Sequence, residues 1–276
     1  MRLRDDFQFS QAVLQDYVDC RRRFQLRHVE QVAWPAIQTE PMIENERRLQ
    51  QGQAFHRLVH QHALGIPVER LTETVSDSDL KVWWENYLLA PPQDLPGQRY
   101  PELLLSAPLA GYRLVAKYDL VAVEAGERAV IVDWKTSRYR PGARGLQERL
   151  QTRVYPYLLI VASHDLNGGR RMAPEQVEMV YWFASNPGAP ERFAYSSARY
   201  AEDSDYLTGL ISEIMALKPA EFVKTDQVER CKYCRYRSLC DRGEQAGLSF
   251  DLEDGFDDGE EIGLSLDLEH IAEIEL

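Results

Sequence analysis

Residues 129–137 have the sequence AVIVDWKTS, in which four apolar residues lead directly into an acid, a tryptophan, a lysine and two hydroxyl side chains. The apolar run predicts a strand in the middle of a β-sheet. Asp133 and Lys135 then lie where that strand ends. The stretch is therefore either a strand that meets solvent or part of an active site.

The sequence around this stretch predicts a mixed α/β domain. Apolar residues recur at helical spacing after Ser10, in a stripe that includes Tyr17, Cys20 and Phe24. Further helices are predicted at about 40–64, 78–89, 143–165 and 205–218, with Pro156 expected to kink the helix at 143–165. Strand patterns cover 103–109, 112–124, 128–134 and 177–184. This order predicts a central sheet flanked by helices.

Charge is distributed unevenly along the 276 residues, whose formal net charge is −12. Residues 241–276 hold thirteen Asp or Glu and one basic residue, so 31 acidic and 31 basic residues remain in 1–240. We therefore divide the chain into a domain at 1–240 and an acidic tail at 241–276. The tail repeats GLSFDLE (247–253) as GLSLDLE (263–269). It either keeps the protein soluble or docks on a protein partner or a nucleic-acid channel.

No apolar run is long enough to span a bilayer, and the amino-terminal segment lacks the apolar core of a signal peptide. We therefore expect a cytoplasmic protein without a membrane contact.

The turn before the opening stretch sets the expected position of a second acid. EAGER (124–128) has Gly126 at its centre, and a three-residue loop there would oppose residues whose numbers sum to 252. Asp119 would then face Asp133, with β-carbons about 5 Å apart. Two carboxylates at that distance repel unless one is protonated or a cation lies between them. A divalent cation removes this conflict, although a register change of one residue would undo the alignment.

Strand alternation places Lys135 on the same face as Asp133, while the Trp134 side chain points to the other face and its carbonyl stays nearby. Hard oxygen ligands favour Mg²⁺ or Mn²⁺. Such a cluster suits phosphodiester hydrolysis, because the metal activates water and the lysine stabilises the negative charge of the transition state. The alternative is a surface hairpin with an ordinary ion pair between Asp133 and Lys135.

These residues resemble the PD-(D/E)XK nuclease superfamily, in particular its RecB-like branch. Asp119 matches the first acid, and DWK at 133–135 matches the (D/E)XK element. The resemblance implies a restriction-endonuclease-like core in which His56, within GQAFH (52–56), is an additional metal ligand beside Asp119, Asp133 and the Trp134 carbonyl. It also implies that Gln151 and Tyr155, within QTRVY (151–155), position Lys135 or a DNA phosphate.

Other candidates are less specific. Glu102 is either a further acid near the metal or a solvated acid before a strand. Arginines in the basic stretches can track a single-stranded end through its phosphates, and we predict this role for Arg21, Arg22, Arg23, Arg138 and Arg140.

The cysteines predict a second metal site. Cys20 precedes the predicted core, and CKYCRYRSLC supplies Cys231, Cys234 and Cys240 after it. In a cytoplasmic protein an even number of cysteines favours metal binding over disulfides, and the spacing alone leaves zinc and an iron–sulfur cluster open. Cys20 taken alone is equally typical of a buried helix cysteine.

The same cysteine order occurs in a subgroup of RecB-like nucleases that includes the CRISPR-associated single-domain nuclease and the AddB subunit of helicase-nucleases. The resemblance implies that the four cysteines bind a 4Fe-4S cluster, a structural clasp that joins the N- and C-terminal segments.

The resemblance implies a Mg²⁺- or Mn²⁺-dependent deoxyribonuclease, acting as an exonuclease or end-processing enzyme on single-stranded or frayed DNA. DNA repair, recombination or CRISPR adaptation are the expected settings. The alternative is a non-catalytic iron–sulfur DNA-binding subunit of a repair or defence complex. The chain has no GxxxxGK[ST] phosphate loop, so it is not a complete recombination helicase.

Overall fold

The computed structural model describes residues 3–4, 6–33, 40–137 and 140–243. The strands in these ranges are β1 (Gln8–Ser10), β2 (Gln98–Leu109), β3 (Tyr112–Glu124), β4 (Arg128–Lys135), β5 (Val177–Phe183) and β6 (Glu191–Ala194). The α-helices are α1 (Gln11–Asp19), α2 (Arg21–Phe24), α3 (Glu40–Ala63), α4 (Val68–Glu73), α5 (Ser78–Leu89), α6 (Ala143–Glu148), α7 (Leu150–Ala162) and α8 (Ser197–Ala216).

The strands form one mixed sheet in the order β1-β3-β4-β5-β6, with β2 paired to β3 as well. β1 runs parallel to β3, and β4 runs parallel to β5. The other neighbours, β2 with β3, β3 with β4 and β5 with β6, are antiparallel. The predicted mixed central sheet is confirmed.

Helices cover both faces of this sheet. One apolar cluster joins α1, α7 and α8 to the first face, through residues such as Ile131 and Leu158. A second cluster joins α3, α4 and α5 to the opposite face, through residues such as Phe55, Trp84 and Val132. Because both faces are covered, β4 is buried from Ala129 to Lys135 and needs no polar alternation in its middle.

The turn between β3 and β4 has the predicted register. Glu124 pairs with Arg128, and Leu120 pairs with Val132, so both pairs sum to 252. Gly126 has a φ of +85°, a left-handed conformation that a residue without a β-carbon adopts without strain. Counted from the turn, the pairing of β3 with β4 ends at Leu120 and Val132, so Asp119 is the first residue of β3 beyond the paired positions.

The alternation of side chains reverses where β2 and β3 pass Asp119. Tyr118 and Leu120 are two positions apart and would share a face in a regular strand, yet they pack into opposite clusters. On β2, Glu102 has a φ of +54° and lies between the paired residues Pro101 and Leu103. The sheet is therefore irregular at the level of Asp119.

Some predicted elements differ from the structure. The first helix is interrupted at Cys20, whose φ of −162° and ψ of 109° are extended, and the chain continues as α2 and a π-helical turn at Gln25–Val29. The predicted helix at 143–165 is interrupted at Arg149, which is also extended. The sequence prediction missed β1, β6 and α4, and it began β2 and α8 too late, at residues 103 and 205 instead of 98 and 197.

Arg138 and residues 244–276, which form most of the acidic tail, lie outside the described residues. The division of the chain at residue 240 and the role of the tail therefore stay predictions. Among the described helices, none combines the length and apolar character needed to cross a bilayer.

Candidate active site

Asp133, Lys135 and Gln151 form a buried polar triangle between β4 and α7. The Lys135 ammonium lies 3.0 Å from Asp133 Oδ2 and donates to Gln151 Oε1 at 2.9 Å. Gln151 Nε2 donates to Asp133 Oδ1 at 2.6 Å. All three residues are less than a tenth exposed, so each charge has its partners inside the protein. The alternative of a surface hairpin is wrong, because this ion pair lies inside the protein.

Asp119 connects β3 to β4 and to the opposite helical layer. Its Oδ2 accepts a hydrogen bond from the Trp134 backbone N–H at 2.8 Å, and its Oδ1 lies 3.1 Å from His56 Nδ1 of α3. The Trp134 side chain packs on the far face against Trp182 and Tyr87, as strand alternation predicts. Asp119 therefore meets residues of both strands and of α3 at one point.

The environment of Asp119 keeps it ionised. Burial raises the pKa of this carboxyl, but the His56 imidazole, the Trp134 N–H and the Lys135 ammonium lower it, and the net pKa lies below its usual value. A carboxylate that stays charged in a buried site is suited to hold a cation.

A close approach of α3 to the segment after β4 brings His56 to Asp119. A β-carbon at Gly52 would lie 3.0 Å from Thr136 Oγ1. The glycine therefore lets the helix pass the strand end closely, and His56 follows one turn later on the same helix.

Tyr155 and Glu102 lie beside this cluster in different surroundings. The ring of Tyr155 is 4.8 Å from that of Tyr118, whose hydroxyl donates to the Tyr155 carbonyl. The Glu102 carboxylate pairs with Lys117 and is 22% exposed. Glu102 is therefore not the freely solvated acid considered above, and its ion-pair partner is a lysine.

The predicted phosphate contacts are only partly compatible with the structure. Arg23 is buried, with its guanidinium bound to Asp16 at 2.8 Å and to Asp19 at 2.7 Å. The prediction for Arg23 is wrong, because a buried guanidinium cannot reach a nucleic-acid backbone. Arg140 is half-buried and pairs with Glu191 at 2.5 Å.

Arg21 and Arg22 are more exposed, and each takes part in an ion pair, with Glu213 and Glu30 respectively. Their predicted contact with phosphate would have to compete with these carboxylates.

The donor set at the strand end suits a hard divalent cation. Two carboxylates, an imidazole and a main-chain carbonyl match the oxygen-rich ligands of Mg²⁺ and Mn²⁺. Within the described ranges, however, no three His, Cys, Asp or Glu side chains stand in an arrangement that could hold a metal ion. The carboxylates instead face hydrogen-bond partners, so an ion would have to draw Asp119 and Asp133 away from some of them.

A family model decides what this arrangement belongs to. The model of the PD-(D/E)XK nuclease superfamily matches residues 8–105 and 80–241. This chain belongs to the PD-(D/E)XK nuclease superfamily. The match covers the acids, Lys135 and both cysteine segments, so the nuclease superfamily inferred from the DWK element is confirmed. A search of curated proteins found no match.

One solved structure is similar to this chain in fold. A crystal structure from Eubacterium rectale, described as a "Putative exonuclease", has a TM-score of 0.53 at 11% sequence identity. The match covers 84% of this chain and 88% of that one. A second crystal structure, SSO0001, has a TM-score of 0.38 at 13% identity, with 87% and 88% of the two chains covered, which is too low to carry an argument.

The superfamily domain also contains the cysteine site. Cys20, Cys231, Cys234 and Cys240 are free thiols that line one small cavity between the segment around α2 and the last described residues. Burial raises the pKa of the Cys234 thiol to about 11, and it also raises the pKa of the Cys231 and Cys240 thiols. Soft sulfur donors suit both zinc and an iron–sulfur cluster, and binding of either would release protons.

Contacts beside this cavity hold the two cysteine segments together. Asp19 accepts from Arg230 and from Arg23, and Arg22 N–H donates to the Val223 carbonyl at 3.2 Å. The helix is interrupted at Cys20, where the backbone is extended, and Cys20 lines the cavity at this point. All four cysteines line the same cavity, but among the described residues no three of them stand in an arrangement that could hold a metal ion, so their binding of a common group stays a prediction.

Sequence reasoning missed two residues beside Lys135. The ring centroid of Tyr181 on β5 lies 5.5 Å from Lys135 Nζ, and the Tyr181 hydroxyl is 2.7 Å from Thr152 Oγ1. Both residues are buried, and no sequence signal points to their role, because a tyrosine in an apolar strand and a threonine in a helix are common in protein cores.

Proposed function

We propose that this protein is a Mg²⁺- or Mn²⁺-dependent deoxyribonuclease that trims single-stranded or frayed DNA ends. The observation that carries the proposal is the cluster of Asp119, Asp133, Lys135 and Gln151 at one strand end, in a chain of the PD-(D/E)XK nuclease superfamily. This cluster combines two aspartates with a buried lysine, and the pKa of the Asp119 carboxyl lies below its usual value.

In this proposal, Asp119, Asp133, the Trp134 carbonyl and His56 hold the divalent ion. A bound Mg²⁺ or Mn²⁺ polarises the phosphoryl oxygen and acidifies the attacking water. Lys135 places a positive charge where the transition state gains negative charge. Gln151 holds the Lys135 and Asp133 side chains in their relative positions, since it is hydrogen-bonded to both.

We further propose that the four cysteines bind a 4Fe-4S cluster that ties the ends of the domain together. The cavity that all four line supports this proposal. Measurement of iron, acid-labile sulfide and zinc in anaerobically purified protein tests it. About four irons and four sulfides per chain are expected, whereas one zinc without iron would replace the cluster by a zinc site.

Nuclease activity is tested with end-labelled single-stranded DNA, blunt and frayed duplexes, and RNA of the same sequence, each with Mg²⁺, Mn²⁺ or EDTA. We expect cleavage of single-stranded DNA that requires the ion and releases short products from an end. Asp133→Asn should lower the rate by about 10²-fold or more, because it removes a carboxylate that would hold the ion and that contacts Lys135.

Asp165→Asn is the matched control, because the Asp165 side chain is 96% exposed and its hydrogen-bond partner is His164 rather than a residue of the site. It should cleave like the unchanged protein. Equal rates for the unchanged protein and Asp133→Asn would refute the assignment. Ion-independent DNA binding without cleavage would instead favour the non-catalytic iron–sulfur subunit.

A further inference from the structure

The Lys135 ammonium is held from three directions. Asp133 and Gln151 contact it on two sides, and the face of the Tyr181 ring lies 5.5 Å away on another. Tyr181 is fully buried and pairs with Asp133 in the parallel ladder between β4 and β5. An aromatic face attracts an ammonium, and the attraction is stronger where water is excluded.

A count of protons sets the direction of the hydrogen bonds behind this ring. Thr152 Oγ1 is 2.5 Å from the Leu146 carbonyl and 2.7 Å from the Tyr181 hydroxyl. Threonine has one hydroxyl proton, and the carbonyl can only accept. Thr152 therefore donates to Leu146, and Tyr181 donates to Thr152.

Tyr181 keeps the proton that this chain requires. Burial raises the pKa of its hydroxyl far above the usual value, and the nearby Asp133 carboxylate raises it further. The Tyr181 hydroxyl therefore keeps its proton and donates it to Thr152. Its contributions are the ring under Lys135 and a hydrogen bond to the helix.

That hydrogen bond acts next to Gln151. Thr152 follows Gln151 in α7, so the link from β5 to Thr152 holds this turn of α7 against the strand that carries Tyr181. The ring and the helix turn then constrain the same ammonium from two elements.

We propose that Tyr181 and Thr152 are positioning residues for Lys135, in which the ring holds the ammonium and the Tyr181–Thr152 hydrogen bond holds Gln151 in place. The proposal rests on the proposed function, because it assigns the pair to a lysine that acts on the phosphate. Neither residue touches the substrate.

Kinetics of four variants test the pair: Tyr181→Leu, which removes the ring; Tyr181→Phe, which keeps the ring; Thr152→Val, which keeps the shape; and the double variant Tyr181→Phe/Thr152→Val. We expect Tyr181→Leu to lower kcat about tenfold with little change in KM, the order expected for a desolvated cation–π contact. Tyr181→Phe should stay within about threefold of the unchanged protein.

Thr152→Val also removes the hydrogen bond to the Leu146 carbonyl, so its kcat should fall at least as far as that of Tyr181→Phe. The double variant should fall no further than Thr152→Val, since the Tyr181–Thr152 hydrogen bond is already broken there. Phe9→Leu, at a fully buried aromatic of β1, is the control for general loosening of the core. A Tyr181→Leu kcat equal to that of Phe9→Leu, or additive losses in the double variant, would overturn the proposal.

A measurement without catalysis separates this inference from the proposed function. In a double-mutant cycle of urea unfolding, Lys135→Met and Tyr181→Leu should show a coupling of about fivefold in the unfolding constant. Coupling without any cleavage would sink the nuclease assignment and leave the contact standing. Cleavage without coupling would remove the positioning role and leave the nuclease.

Discussion

Gln151 is the most exacting test of the polar triangle, because Gln151→Leu removes its hydrogen bonds to both charged neighbours while keeping a similar volume. Each hydrogen bond to a charged group contributes about 1.5–3 kcal/mol, so the two sum to about 3–6 kcal/mol. Lys135 and Asp133 still contact each other at 3.0 Å, which places the expected loss near the lower end, at about 3 kcal/mol.

Thermal unfolding followed by calorimetry measures this loss. A domain of this size loses about 2–4 °C of Tm for each kcal/mol, so Gln151→Leu should melt about 6–12 °C lower. Gln147→Leu makes the same chemical change at an exposed position of α6 and should stay within about 0.5 kcal/mol. A Gln151→Leu Tm within about 2 °C of that control would refute the idea that Gln151 supports two buried charges.

Three further changes test the surroundings of the site. Gly52→Ala should lower the nuclease rate, because its β-carbon would meet Thr136 Oγ1 at 3.0 Å and move α3. The double variant Gly52→Ala/Thr136→Ala should recover most of the lost rate. No recovery would contradict the steric cause. Asp77→Ala should cost about 1 kcal/mol in urea unfolding, since Asp77 caps α5. The Leu80 N–H and the Gln51 side chain lower the pKa of Asp77 in the folded protein. The stability that the ionised cap adds is therefore present above the usual pKa of 3.8 and should vanish as the pH falls through the lower folded value. A stability difference between the unchanged protein and Asp77→Ala that persists at about pH 2 would count against this cap. Glu102→Gly should leave the free energy of unfolding within about 1 kcal/mol, whereas Glu102→Val should cost more, because the φ of +54° disfavours a β-branched side chain; equal effects would contradict the strain.

The part of the fold that follows from local rules could be predicted from the sequence. The three-residue turn at Gly126 defines the register of β3 and β4, and the pairing of Leu120 with Val132 confirms it. Alternation then places Trp134 on the face opposite the polar triangle, as the structure shows. These features depend only on neighbouring residues in one hairpin.

Features that depend on distant contacts could not be predicted. The sequence has a continuous helical pattern through Cys20, but the backbone there is extended. The residues beside Cys20 contact residues more than 200 positions later, as Asp19 does with Arg230. Arg23 was taken as a phosphate contact because the sequence shows its charge but not the buried Asp16 and Asp19 that bind it. Tyr181 resembles any core aromatic until the fold places Lys135 over its ring.

The proposed nuclease function requires Asp119 and Asp133 to share one divalent ion. Crystals grown with Mn²⁺ test it directly, since anomalous scattering locates the ion without assumptions about activity. We expect one strong peak about 2.1 Å from a carboxylate oxygen of each aspartate, with His56 rotated onto the same ion. A peak that contacts only one of the two carboxylates, or Mn²⁺ bound elsewhere with both acids still on their present hydrogen-bond partners, would contradict it.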